Sequence, residues 1–252
     1  MIVANGVSKR YGTGPVVDDV TVTLPAGGVT SIIGPNGAGK SSLLSIISRL
    51  SRPDAGSVTV DGLDVATTPG DVLARRLSIL RQDNHMTARL TVRDLVTFGR
   101  YPHSKVRLTI EDKDHVDGAL DYLSLDDLGD RFLDELSGGQ RQRAFVAMVL
   151  CQDTDYVLLD EPLNNLDMKY SAAMMKLLRR AATELGKTVV MVLHDINFAS
   201  RYSDHIVAMR DGRVVRQGPP DAVITTQALR EIYDMEIRVR EIDGHRLALF
   251  YE

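Results

Sequence analysis

The sequence predicts an α/β fold in which a mainly parallel sheet is interrupted by a helical insert. Short apolar runs alternate with helical segments along most of the 252 residues, a pattern typical of parallel strands joined by crossover helices. Residues 156–159, Tyr-Val-Leu-Leu, are a continuous apolar run of the kind that is buried on both faces of such a sheet. Residues 85–152 are mostly helical in pattern, so a helical unit divides the strand-rich part of the chain.

The first part of the chain supplies strands and one helix. Residues 29–33 form a short apolar strand, a glycine-rich turn follows, and residues 41–47 have the pattern of a helix. Residues 57–60 are a strand that leads into a hairpin turn at Asp61-Gly62. We expect the strands at the N-terminal end to be antiparallel.

In the middle part, Thr91 and Asp94 have the spacing of a capping box, so a helix begins there. That helix is expected to end near Gly99, and Pro102 is expected to prevent its continuation. A second helix is predicted over residues 111–123, and a third begins at Ser137.

Strands return in the last part of the chain. A helix with an apolar face covers residues 174–185 and ends at Gly186, which is a typical C-cap residue. Residues 188–193 are the next buried strand, and residues 206–215 form a hairpin. After Gly218 the signals are weak, and a helix plus a small hairpin around Asp243-Gly244 is one interpretation of this tail.

Composition excludes several classes of protein. The formal net charge of −4, the aromatic content of 5% and the absence of tryptophan argue against a general nucleic-acid binder. No apolar stretch is long enough for a membrane helix, and the N-terminus lacks the pattern of a signal peptide. The single cysteine, Cys151, cannot form an internal disulfide, which fits the cytosol.

A phosphate-binding loop lies between the first apolar strand and the helix after it. Residues 34–41 match the pattern G-x-x-x-x-G-K-[ST] in full. Glycines allow backbone N–H groups to wrap around phosphate oxygens, Lys40 would neutralise the β- and γ-phosphates, and the Ser41 hydroxyl would bind Mg²⁺. A dinucleotide-binding oxidoreductase would need G-x-G-x-x-G here, whereas a kinase or GTPase could use this loop. The residues predicted to contact ATP are Gly34, Pro35, Asn36, Gly37, Ala38, Gly39, Lys40, Ser41 and Ser42.

Two carboxylates follow the buried strand at residues 156–159. Ligands of parallel sheets bind at the carboxyl ends of the strands, so Asp160 is predicted to hold Mg²⁺ and Glu161 to polarise the attacking water as a general base. An acidic pair that only caps a strand is the alternative interpretation. The phosphate loop elsewhere in the chain favours the catalytic one and predicts a RecA-like P-loop NTPase core.

A second anion site is predicted at a helix start. In Leu136-Ser137-Gly138-Gly139-Gln140, the serine and the glycine amides can bind a phosphate at a helix N-terminus. One chain with two phosphate sites suggests that two chains share each ATP. This pentapeptide resembles the signature of the ATP-binding subunits of ABC transporters, and the resemblance extends over residues 3–218. The alternative is an ordinary capped helix start.

The resemblance implies roles for further residues. Tyr11 resembles the aromatic residue that stacks on adenine, although it could be a simple turn tyrosine. Gln82 resembles the glutamine that touches Mg²⁺ and senses the membrane partner. Asp167 belongs to the loop through which two subunits communicate, and His194 resembles the histidine that contacts the γ-phosphate. Catalysis would thus depend on Glu161, His194, Lys40 and Gln82, and ATP would bind Ser137, Gly138, Gly139, Gln140 and Asp167.

The sequence departs from the family pattern at two places. Arg81 precedes Gln82 where proline is frequent, and residues 163–167 read Leu-Asn-Asn-Leu-Asp where Ser/Thr-x-Leu-Asp is commoner. Neither departure removes a catalytic group, so an active ATPase is expected. The resemblance predicts a single ATPase domain over residues 1–252, with a nucleotide-binding core at 1–84 and 155–218, a helical subdomain at 85–154 and an appendix at 219–252.

Two segments resemble one group of importers. Residues 91–103 are similar to the subunits that serve iron–siderophore, haem and cobalamin uptake, and residues 161–169 to a ferric-siderophore subgroup. This implies a dimer that binds a membrane permease at the cytoplasmic face and acts indirectly with a substrate-binding protein. Arg93, Arg100 and Arg107 could instead form a solvated face. The alternatives are haem or cobalamin import, an exporter, or a soluble ABC ATPase, which would carry two cassettes or a coiled-coil insert.

Overall fold

The computed structural model describes residues 1–12, 14–82, 86, 88–105, 107–164 and 166–250. The strands are β1 (Ile2–Tyr11), β2 (Gly14–Leu24), β3 (Gly28–Ile33), β4 (Ala55–Val60), β5 (Leu63–Asp64), β6 (Leu77–Leu80), β7 (Tyr156–Asp160), β8 (Thr188–Val192), β9 (His205–Arg210), β10 (Arg213–Gly218), β11 (Arg238–Ile242) and β12 (His245–Leu249). The helices are α1 (Lys40–Ile47), α2 (Gly70–Ala74), α3 (Val92–Thr97), α4 (Tyr101–Ser104), α5 (Ile110–Tyr122), α6 (Gly138–Cys151), α7 (Met168–Glu184), α8 (Ile196–Tyr202), α9 (Pro220–Val223) and α10 (Thr226–Tyr233).

The central sheet has six strands in the order β10-β9-β3-β8-β7-β6. Four of its five strand pairings are parallel, and the fifth, between β10 and β9, is antiparallel. A second sheet, in the order β2-β1-β4-β5, is antiparallel throughout. The predicted fold, a mainly parallel core with N-terminal antiparallel strands and a helical insert, is confirmed.

Both faces of the central sheet are buried, because neighbouring residues of each strand enter different apolar clusters. Ile32 packs with α1 and the antiparallel sheet, whereas Ile33 packs with the helical insert and α7. Leu158 and Leu159 divide in the same way between the two clusters. This two-sided burial is the physical reason that these strands are continuous apolar runs. It holds the carboxyl ends of β3, β7 and β8 in a fixed relative position.

The helical insert lies between β6 and β7 and consists of α3 to α6. Thr91 and Thr109 each form a capping box, at the starts of α3 and α5. α3 ends at Thr97, near Gly99 as predicted, and does not continue through Pro102. The chain then makes a 3-10 turn at residues 98–100 and begins the separate short helix α4, which has Pro102 in its first turn. Proline is tolerated there because the first turn of a helix needs no N–H donor at that position.

Arg100 is not part of a solvated face. Its side chain is 5% exposed, and its Nε lies 2.9 Å from Oδ1 of Asp112, whose side chain is 4% exposed. Its Nη1 also donates to the carbonyl oxygen of Cys151, at 2.9 Å. This buried ion pair therefore joins the end of α3, the start of α5 and the end of α6.

The last part of the chain folds back onto the core. Leu229 and Ile232 of α10 are fully buried, and β11 and β12 form the hairpin that was predicted around Asp243-Gly244. Asn197 of α8 donates to the carbonyl oxygen of Ala248 and accepts from its N–H. The division of the chain into core, helical subdomain and appendix stays a prediction. No helix within the described residues has the length and apolar character needed to cross a membrane.

Candidate nucleotide site

The phosphate loop connects the end of β3 to the start of α1 and contains three glycines with positive φ. Gly34, Gly37 and Gly39 have φ values of 144°, 79° and 93°. A Cβ on Gly34 would lie 2.0 Å from the carbonyl oxygen of Met209, and one on Gly39 would lie 2.2 Å from that of Val16. Backbone conformation and crowding thus both require glycine at these two positions. The loop leads into the N-terminus of α1, where backbone N–H groups favour an anion.

Lys40 is buried at the base of this loop, with 5% of its surface exposed. Its Nζ donates to the carbonyl oxygens of Gly34 and Pro35, at 2.9 Å each. Burial lowers the pKa of Lys40, and the carboxylates of Glu161 and Asp160 oppose that shift. The ammonium group therefore lies inside the loop, on weak neutral acceptors that phosphate oxygens can replace.

Ser41 and Asp160 meet where α1 approaches the end of β7. The Ser41 hydroxyl donates to Oδ1 of Asp160 at 2.8 Å. Burial raises the pKa of Asp160, and the nearby Glu161 adds to this effect, whereas Ser41, Lys40 and His194 lower it. One carboxylate and one hydroxyl fit Mg²⁺, which takes few protein ligands and completes its shell with phosphate oxygens and water. Among the described residues no cluster of three or more His, Cys, Asp or Glu side chains could hold a metal by itself.

Glu161 lies at the centre of the site, with 10% of its side chain exposed. Its Oε1 is 2.6 Å from Nε2 of His194. Its Oε2 accepts from Nε2 of Gln82 at 2.8 Å and from Nδ2 of Asn164 at 2.5 Å. Three side chains from separate segments therefore hold both oxygens of the predicted general base.

Two of these contacts differ from the sequence-based expectation. Gln82 was predicted to touch Mg²⁺, and here its amide contacts Glu161; its metal role stays a prediction. Asn164 was noted only as a departure from the family pattern, not as a site residue. The only signal in the sequence was an amide three residues after the carboxylate, a spacing at which a tight turn brings side chains together.

His194 follows β8, and its side chain is 44% exposed. The next residue, Asp195, accepts hydrogen bonds from the N–H groups of Asn197 and Phe198, at 2.7 and 3.0 Å. Asp195 is therefore the N-cap of α8, and this cap fixes the backbone that carries His194.

The second anion site begins α6 in the helical insert. Ser137 is the N-cap, and its Oγ accepts from the N–H of Gln140 at 3.3 Å, while Oε1 of Gln140 accepts from the N–H of Ser137 at 2.9 Å. A Cβ on Gly139 would lie 3.3 Å from the ring of Tyr170. Within the described part of the chain, Ser137 and Gln140 form these hydrogen bonds with each other and none with the phosphate loop.

Comparison with known proteins decides the family. A family model described as ABC transporter matches residues 17–164, more than half of the chain. The chain belongs to the ABC transporter family. The resemblance drawn from the Ser137 pentapeptide is thus confirmed.

Relatives within the ABC transporter family cover the whole chain. The petrobactin import ATP-binding protein YclP of Bacillus subtilis is 54% identical over 251 residues, which is 100% of both chains. The petrobactin import ATP-binding protein FatE of Bacillus anthracis is 51% identical over 95% of this chain and 96% of its own. A solved dimeric ATP-binding cassette, MJ0796 bound to ADP and Pi, superposes with a TM-score of 0.78 at 29% identity, over 87% of this chain and 99% of that one.

Tyr11 and Asp167 complete the set of predicted ABC site residues. Tyr11 ends β1 and is 54% exposed, and its hydroxyl lies 3.2 Å from Oγ of Ser51. Its ring is therefore accessible, although the adenine contact stays a prediction. Asp167 is the N-cap of α7 and accepts from the N–H of Tyr170 at 2.9 Å. Asn165, which the resemblance includes in the same loop, lies outside the described residues.

Proposed function

We propose that this chain is the ATP-hydrolysing subunit of an ABC importer for a ferric siderophore. The observation that carries the catalytic part is the arrangement of Glu161 beside His194, behind a phosphate loop in which Lys40 is buried. The substrate part is supported by relatives over the whole chain whose names assign them to petrobactin import. Ferric petrobactin is accordingly the first chelate to test.

Different residues of the chain are proposed to bind the phosphates, hold the metal ion and orient the water. Backbone N–H groups of residues 36–41 and the ammonium of Lys40 bind the phosphates. Ser41 and Asp160 would hold Mg²⁺, which neutralises charge on the phosphate oxygens when it is bound. Glu161 orients and polarises the attacking water. Because His194 occupies Oε1 of Glu161 here, we propose that its ring leaves this oxygen to contact the γ-phosphate.

Two copies of the chain are proposed to share each nucleotide. The phosphate loop of one copy binds ATP, and Ser137 and Gly139 of the other contact its γ-phosphate. The capped start of α6 suits this role, since its free N–H groups stabilise negative charge. The dimeric structure of the MJ0796 cassette bound to ADP and Pi supports the arrangement.

The helical insert is proposed to bind the membrane permease. Phe98 and Tyr101 are exposed there to 49% and 61%, and Nε of Arg75 donates to the carbonyl oxygen of Pro102 at 3.1 Å, joining the insert to α2. These apolar rings lie in the segment that resembles the siderophore, haem and cobalamin importers. The chain would thus be a peripheral protein at the cytoplasmic face of the membrane, coupled only indirectly to a substrate-binding protein.

Uptake of labelled iron tests the proposal. Cells that lack the gene receive the wild type, Glu161→Gln or the matched surface variant Glu184→Gln, and ferric petrobactin and other ferric siderophores are supplied in turn. We expect the wild type and Glu184→Gln to restore uptake of one chelate, and Glu161→Gln to fail. Unchanged iron uptake for every chelate would contradict the siderophore assignment. Labelled haem and cobalamin then test the alternative substrates, and a defect in none of them would indicate a soluble ABC ATPase.

A further inference from the structure

Oε2 of Glu161 is the meeting point of two amide side chains from different parts of the chain. Gln82, which follows β6, donates from 2.8 Å, and Asn164, which follows β7, donates from 2.5 Å. Carboxamides donate hydrogen bonds but neither gain nor lose a proton near neutral pH. They can therefore fix the orientation of a catalytic carboxylate without competing for the proton it handles.

Asn164 also holds the backbone of Glu161. Its N–H donates to the carbonyl oxygen of Glu161 at 3.2 Å, so main chain and side chain of Asn164 both bind the same residue. Glu161 has a φ of 51°, a left-handed conformation that is unusual for a residue with a side chain. Such conformations persist only where neighbouring groups hold them, and Asn164 supplies two of these bonds.

We propose that Asn164 is a positioning residue for the catalytic carboxylate of Glu161. This inference rests on the proposed role of Glu161 as the base. Asn164 orients Oε2 and thereby directs Oε1 toward the side on which His194 lies.

Gln82 and Asn164 donate to the same oxygen of Glu161, so their contributions to kcat should depend on each other. Removing either amide leaves the other to hold Oε2, so the first loss is partly compensated and the second is not. The effects of Gln82→Ala and Asn164→Ala on kcat should therefore deviate from a simple product. If the two residues acted independently, the fold-loss of kcat in the double variant would equal the product of the two single losses, within experimental error.

The test is steady-state ATP hydrolysis by the full chain. For Asn164→Ala we expect kcat to fall about 2- to 10-fold, the range for one hydrogen bond, with the KM for ATP nearly unchanged. Asn164→Gln keeps the amide on a longer stem and should recover part of the loss. Asn164→Asp places a second carboxylate beside Glu161, in a site that already contains Asp160, Lys40 and His194. A carboxylate cannot donate a hydrogen bond to Oε2 and repels it, so we expect Asn164→Asp to lower kcat more than Asn164→Ala does.

The matched control is Gln152→Ala. The Gln152 carboxamide also donates two hydrogen bonds, to the carbonyl oxygens of Ala74 and Leu77, and it has no contact with Glu161, so its loss should lower Tm and leave kcat unchanged. Wild-type kcat in Asn164→Ala, or equal losses in kcat and ATP affinity, would overturn the inference. Normal turnover in Glu161→Gln would instead remove the proposed base, so the two failures are distinguishable.

Discussion

Nε2 of His194 lies 2.6 Å from Oε1 of Glu161, at the carboxyl ends of the adjacent strands β8 and β7. The predicted γ-phosphate contact and the predicted base thus bind each other. The Lys40 ammonium likewise binds within the chain, to the carbonyl oxygens of Gly34 and Pro35 in its own loop.

Replacing Glu161, the proposed base, should slow ATP hydrolysis without preventing ATP binding. Glu161→Gln keeps the size of the side chain and removes its ability to accept a proton, so we expect kcat to fall about 100- to 10,000-fold. ATP binding should persist, and the ATP-bound dimer should accumulate in size-exclusion chromatography. Glu184→Gln, which alters an exposed pair with Arg180 on α7, is the control. A kcat for Glu161→Gln near that of the control would refute the assignment.

Mixed dimers test whether two chains share each site. Lys40→Ala should weaken ATP binding by about 10- to 100-fold, because it removes charge-assisted bonds to phosphate. Ser137→Ala removes the N-cap of α6 and its proposed phosphate contact. If sites are shared, a dimer of one Lys40→Ala chain and one Ser137→Ala chain retains one intact site and one doubly defective site.

Two affinity tags allow this mixed dimer to be purified and its bound ATP to be counted. We expect tight binding of one nucleotide per dimer. Each chain carries one defect, so sites built within single chains would give no tight binding. Lys187→Ala, which breaks a pair with Asp153 away from the loop, is the matched lysine control and should leave ATP affinity unchanged.

The buried ion pair of Arg100 and Asp112 should make the free energy of unfolding depend on pH in the acidic range. Burial would raise the pKa of Asp112, but hydrogen bonds from Thr109 and Arg100 outweigh it and hold the pKa well below its usual value. A carboxyl whose pKa is depressed in the folded state stabilises the protein above its unfolded pKa of about 3.9. This contribution is then lost as pH falls below about 4, through the folded-state pKa.

Asp112→Asn tests that contribution by thermal and chemical unfolding between pH 3 and pH 7, a range chosen to span about one unit on the acid side of the unfolded pKa. We expect about 3 kcal/mol of lost stability at neutral pH, because Arg100 is left buried without its counter-charge. Below the usual Asp pKa the difference from the wild type should shrink. Arg180→Ala breaks the exposed pair with Glu184 and should leave the stability almost unchanged across this pH range. A difference that is independent of pH would contradict this account.

Removing the hydroxyl group should change Tm in opposite directions at Tyr233 and at Tyr122. The Tyr233 oxygen is buried, and the backbone N–H of Gly34 lies near it without normal hydrogen-bond geometry. The Tyr122 hydroxyl instead donates to the carbonyl oxygen of Leu177 at 3.2 Å. An unsatisfied buried hydroxyl destabilises, and a bonded one contributes about 1 kcal/mol. Tyr233→Phe should therefore raise Tm and Tyr122→Phe should lower it. A lower Tm for Tyr233→Phe would indicate that its hydroxyl is bonded.

The sequence by itself determined the parts of this protein that are contiguous in the chain. Residues 34–41 specify a phosphate loop because glycine spacing, lysine and serine act within one turn. The same holds for the carboxylates at 160–161 and for the capped start at Ser137. In each case the chemistry depends on neighbours a few residues away, and local geometry follows from residue type.

Only the tertiary structure decided what meets at Glu161. Gln82, Asn164 and His194 come together because β6 and β8 both pair with β7, and parallel strands end at the same edge of a sheet. The order of the strands depends on how both faces of the sheet are buried, and no short sequence pattern specifies this order. The pairing of Arg100 with Asp112 likewise follows from how α3, α5 and α6 pack. Contacts between distant segments are set by the packing of the whole core, so they are visible only once it is assembled.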